Sequence, residues 1–186
     1  MESRVKVLGH PVHQALIPLP LGMLSASVAF DTVHRLSGKA SWRSAADATL
    51  GAGLLGGLVA APFGVVDWLA IPAGTRAKRI GLLHGMGNLT MMGLFGASWW
   101  LRRERPAGDA RVPLALSLAG ISTASAAGWL GGELVGRLGV GVDPGAHLDA
   151  PSSLSGQPAR PRAAHLAFSS DGRDPQRQVA ATFVES

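Results

Sequence analysis

The sequence predicts an all-α protein: a bundle of four transmembrane helices in residues 1–145, followed by a disordered basic tail at 146–186. Three observations lead there. Lys and Arg sit in short clusters separated by long uncharged stretches, as expected where a charge at mid-bilayer costs about 2.5–3.5 kcal/mol. Four of those stretches approach the ~20 residues needed to cross ~30 Å of hydrocarbon. The last quarter of the chain is polar, which dilutes the mean hydropathy to +0.23. A soluble four-helix bundle needs polar outer faces at a period near 3.6 residues, and the middle two segments have none. A closed β-barrel needs alternation, which apolar runs this long lack.

The first helix is expected at 12–36, with Pro18 and Pro20 in its opening turns, where a missing N–H matters least or the helix kinks. The second is expected at 44–71, and Ala48 to Val66 carry no charge. The third, at 80–102, is interrupted by His84 and Asn88. The fourth, at 112–137, meets its first charge at Glu133. Small residues recur every four positions: Gly53, Gly57 and Ala61, with Gly56, Ala60 and Gly64 beside them, then Gly120, Ala124, Gly128 and Gly132. Such rows let backbones approach in lipid, so the second and fourth helices are expected to pack tightly, with Gly128 and Gly132 facing a neighbour. A homo-oligomer through the same rows is among the arrangements this allows. Asp143, Pro144 and Gly145 end the last helix, and PSSLSGQPARPR begins a tail too poor in apolar residues to build a core.

The net charge is +5 and cysteine is absent. No helix carries a basic stripe with interleaved aromatics, so nucleic acid is not the expected partner; loop cations facing anionic headgroups account for the charge. The lipid bilayer is the partner, and a multi-pass place in a membrane follows. Without cysteine the chain alone forms no disulfide, thiolate metal site, covalent haem link or iron–sulfur cluster. No cleavable signal peptide is expected, since the apolar run after Gly9 holds His13, Pro18 and Pro20 and lacks a small-residue cleavage site. Arg4, Lys6, Arg76, Lys78, Arg79 and Arg137 fall on one face, called side A. Arg35, Lys39, Arg43, Arg102, Arg103, Arg105 and Arg111 fall on side B, and this near balance sets no orientation.

Four crossings bring distant polar residues to one depth. His10 and His13 open the first helix at side A, Asp67 and Trp68 close the second there, His84 and Asn88 open the third, and Trp129 and Glu133 close the fourth. Ionisable residues in spans usually face a bundle interior and are candidates for function. His13 and His84 are expected to approach each other with Asp67 nearby. On side B, Asp31 and His34 share a helical face, and Asp31 is expected to form an interfacial ion pair with His34 or with a loop arginine such as Arg35 or Arg43.

Three chemistries stay open. The leading one is a membrane anchor or interaction module with a polar His/Asp cluster at one face. A second is a b-type haem subunit for electron transfer, with His13 and His84 as axial ligands and Gly81, Gly85 and Gly87 leaving room for the macrocycle. The third is a divalent-metal or proton-handling site built from His10, His13 and His84 with Asp67 or Glu133; Pro11 interrupts the H-x-x-H face this would use. A transporter fits poorly, because four short helices show no obvious internal repeat. No G-x-S-x-G, H-E-x-x-H or phosphate-binding glycine loop marks an enzyme.

GHPVHQALIPLP, FGVVDWLAIPAGTRAKRIGLLHGMGN and GWLGGELVGRLGVGV resemble, in order, the bacterial predicted-membrane-protein family called domain of unknown function 2231, over about residues 5–145. The resemblance implies a four-helix membrane domain. In some relatives a Rieske-type iron–sulfur domain is appended, which implies electron transfer; here the tail has no cysteine, so that partner would be a separate iron–sulfur protein.

Overall fold

In a computed structural model the chain is described over residues 1–104, 111–157 and 159. The first feature is one the sequence did not announce. Lys6–Val7 (β1) pairs antiparallel with His10–Pro11 (β2), Val7 opposite His10. Leu8 and Gly9 turn the chain with φ of 51° and 83°, the mirror-image turn that hairpins favour. Strands of two residues are too short to show alternation.

Pro11 then starts α1 (Val12–Leu16), and α2 follows (Pro18–Ser37). Ile17 between them is itself right-handed helical, so Val12–Ser37 runs as one span. The interruption lies where the prolines remove backbone donors. Gly38, at φ 68°, ends α2 by donating its N–H to His34 O. The next helices are α3 (Ala40–Ala70), α4 (Arg76–Glu104) and α5 (Arg111–Gly136). Helices α3 and α4 start four residues before the expected positions.

Among the described residues, the spans Val12–Ser37, Ala40–Ala70 and Arg111–Gly136 are long and apolar enough to cross a membrane. Helix α4 has the length, but His84, Asn88 and the Arg and Lys at its ends lower its hydropathy. Helix α2 packs along α3, and α4 along α5, as two hairpins. Burial is inverted relative to a water-soluble bundle. Ser27, Ser98 and Ser117 are fully buried, while Leu55, Leu58, Leu89, Trp100 and Trp129 are each more than 60% exposed. Leu24, Leu50, Met91, Phe95 and Ala124 form the core cluster. Small polar residues share the interior with that cluster while many leucines and tryptophans face outwards, as a hydrocarbon solvent allows.

The packed face departs from the expected four-residue rows. A Cβ added at Gly53 would lie 2.7 Å from Leu24 Cγ, and one at Gly120 2.8 Å from Phe95 Cε2. At Gly128 and Gly132 an added Cβ meets nothing within 4 Å, so the expectation that these two face a neighbour is corrected. The reason is rotational. A strict four-residue step gains about 40° per step on a 3.6-residue helix. The contact face instead alternates four and three, through Gly53, Ala60 and Gly64 on α3 and Gly120, Ala124, Ala127 and Gly131 on α5. That keeps a 3.5-residue period, the seam of a left-handed bundle.

Met1 and Ser3–Gly141 belong to one compact unit, and the chain from Val142 to another. In the latter, Asp143 accepts from Gly145 N at 2.8 Å, and Ser152 caps a short 3-10 turn, Ser153–Ser155. Arg105, residue 158 and residues 160–186, most of the tail expected to be disordered, lie outside the described residues.

Candidate functional site

Two polar layers cross the bundle. In the side A layer, His13 on α1 places Nδ1 3.0 Å from Ala60 O on α3. His84 on α4 places Nδ1 2.8 Å from Ala127 O on α5. Both carbonyls are reachable for the same reason. A helical carbonyl points towards residue i+4, and here that residue is a glycine, Gly64 or Gly131. A Cβ on Gly64 would lie 2.7 Å from His13 Cε1, and one on Gly131 3.0 Å from His84 Cε1. A carbonyl only accepts, so Nδ1 carries the proton in each ring and Nε2 keeps its lone pair. His84 Nε2 takes a hydrogen bond from Asn88 Nδ2 at 2.9 Å.

The other expected side A residues have separate tasks. Asp67 accepts from Ser3 Oγ at 2.9 and 2.8 Å and from Arg4 N at 2.7 Å, so it ties the N-terminal segment to the end of α3. Asp67→Ala is therefore expected to free residues 1–11 while leaving the helices inserted. Limited proteolysis would show faster cleavage before Val12, and an unchanged cleavage rate would remove this role. Glu133 pairs with Arg76 at 2.6 Å, joining α5 to α4. Trp68 Nε1 donates to Lys78 O, Lys78 Nζ donates to Trp68 O at 2.7 Å, and the ammonium sits 4.1 Å from the indole centroid. Trp129 faces outwards. His10 lies in β2 and is exposed, so it does not share a helical face with His13. Among the described residues no three His, Asp or Glu side chains group as a metal site would require.

The side B layer contains the residue that sequence reasoning misplaced. Arg102, expected at the end of the third helix among the membrane-flanking cations of side B, is buried in the bundle. It forms a bidentate pair with Asp31, through Nη1 at 2.8 Å to Oδ1 and through Nη2 to Oδ2. Nη1 also reaches Asp47 at 3.1 Å, Nε reaches Ser98 Oγ at 3.3 Å, and Nη2 reaches Ser117 Oγ at 3.5 Å. All five guanidinium protons thus have acceptors, and α2, α3, α4 and α5 meet at one group. The partners expected for Asp31 were His34, Arg35 and Arg43. His34 instead bonds Lys39 O at 2.9 Å. The signal lay in an Arg-Arg-Glu run at a helix end, which looks the same as a membrane-flanking cluster.

The family model described as predicted membrane protein (DUF2231) matches residues 9–144. No curated protein and no solved structure matches the chain.

Proposed function

Because this chain belongs to the DUF2231 family of predicted membrane proteins, we propose that it is a multi-pass module of the bacterial inner membrane, an anchor that presents its side A end to a partner. The observation that carries this is the burial pattern, with serines and the Arg102 cluster inside and many large apolar side chains exposed. A lipid-solvated bundle needs that order, and it leaves the helix ends and their connections as the surface for protein contacts.

The absence of cysteine makes topology directly testable. Single cysteines at Arg79 and Arg137 should react with a membrane-impermeant maleimide from one face of sealed vesicles. Those at Arg35 and Arg43 should react from the opposite face only. Labelling of all four from the same face would sink the reading.

A second reading has its own support. Nδ1–carbonyl bonds place the lone pair of each imidazole on Nε2, the tautomer in which histidine holds haem iron, with that of His84 taken up by Asn88.

A further inference from the structure

The buried residues of α2 are Pro20, Leu24, Ser27 and Asp31, and those of α4 include Met91, Phe95, Ser98 and Arg102. Each of the second four lies 71 positions after its counterpart. Helix α3 buries Ala46, Leu50, Gly53 and Ala60, and α5 buries Pro113, Ser117, Gly120 and Ala127, each 67 positions later. The two offsets differ because the link between helices is four residues shorter in the second half. A shared heptad would repeat the burial of any two bundle helices. It would not repeat their partners, and here the partners repeat. Leu24 lies against Gly53 as Phe95 lies against Gly120. His13 lies against Gly64 and bonds Ala60 O, as His84 lies against Gly131 and bonds Ala127 O. Contacts between the halves obey the same exchange, since α3 meets α4 and α2 meets α5. Asp31 and Arg102 are themselves counterparts, and they touch.

We propose that the bundle is two tandem copies of one helical hairpin docked about a pseudo-twofold axis, and that Asp31 and Arg102, meeting on that axis, decide which hairpin docks on which. On a twofold axis a residue meets its own counterpart. Two identical hairpins would therefore bury two carboxylates there, or two guanidinium groups, with nothing to neutralise them. Only unlike copies bring opposite charges together, and these copies are unlike at this position. The Asp31 carboxylate attracts the second hairpin and repels another first hairpin, which is how near-identical surfaces acquire specificity. The surroundings are matched to the charges. Ser117, which accepts from the guanidinium at 3.5 Å, stands where the first copy has Leu50, so the second copy is the one fitted to hold the cation. The buried face of each hairpin is thus a docking surface whose partner is the other hairpin. On the membrane reading above each copy crosses the bilayer twice, so both enter from the same side and the axis runs along the membrane normal. That direction rests on the membrane reading; the duplication does not.

An exchange of interiors tests this in the full chain, read by thermal unfolding of the purified protein in detergent. Six substitutions make the exchange: Leu24→Phe with Phe95→Leu, Asp31→Arg with Arg102→Asp, and Leu50→Ser with Ser117→Leu. Rotation about the axis turns the exchanged interior into the original one. The three changes in the first hairpin alone make the copies alike and should lower the unfolding midpoint by roughly 10 °C or more, the scale of a broken buried ion pair. The three in the second hairpin alone should do the same. All six together should recover most of that loss, since sites that share one interior do not act additively. Losses that simply add would overturn the axis. Should the six-site chain fail to fold, two smaller exchanges decide, Asp31→Arg with Arg102→Asp and Leu24→Phe with Phe95→Leu. Each is expected to be more stable than either of its single substitutions, and an exchange that is not overturns the proposal. The cysteine labelling described above is read separately. Labelling of all four sites from one face would remove the direction of the axis and leave the result of the exchange standing.

Discussion

Arg102→Met is expected to destabilise the bundle by about 3–5 kcal/mol, the cost of removing one partner from a buried ion pair. Asp31 and Arg102 expose only 10% and 7% of their side chains, so water does not replace the lost bonds. Four neighbours are affected at once, since Asp31, Asp47, Ser98 and Ser117 all accept from this guanidinium. Unfolding of the purified protein in mixed micelles, followed by helical circular dichroism, reads the effect. A shift worth less than about 1 kcal/mol would show that the cluster is solvated after all. Asp31→Arg alone should be as damaging, because two guanidinium groups would then meet. The double variant Asp31→Arg, Arg102→Asp should recover most of the loss, because counterparts across an axis can exchange places.

Gly120→Leu should cost about 3 kcal/mol, at the upper end of overpacking effects. A Cβ there already overlaps Phe95, which is fully buried and has no room to retreat. Gly128→Leu, two helical turns further along the same helix, should change stability by less than about 0.5 kcal/mol, because an added Cβ meets nothing there. Helix propensity favours leucine over glycine equally at both positions, so the difference isolates packing. Equal thermal stability of the two variants in detergent would contradict the assignment of the contact face.

The helices were legible because hydrocarbon leaves few options: long uncharged runs and charges between them are enough to place four segments. The His13 and His84 level was legible from the parity of the crossings. What they bond was not, since Ala60 and Ala127 offer only backbone. The glycine face was misread because a four-residue row and an alternating four-three row share Gly53, Gly57, Gly120 and Ala124, and diverge only further along. The duplication was hidden for a related reason. Outward positions are only loosely constrained, so the exposed counterparts Ala29 and Trp100, or Leu55 and Ser122, differ freely between the copies. The shared residues are few and common: His13 and His84, Gly22 and Gly93, Ser27 and Ser98, Gly53 and Gly120, Gly64 and Gly131.

The separation of Asp31 from Arg102 along the chain also bears on synthesis. Their 71-residue spacing means that Asp31 is synthesised, at roughly 5–20 residues per second, some 4–14 s before the cation that completes its carboxylate exists. During that interval the Asp31 carboxylate lacks the guanidinium that holds it in the finished bundle. The side B layer is therefore completed only when α4 joins the first hairpin, and its assembly is timed by the ribosome's progress to residue 102.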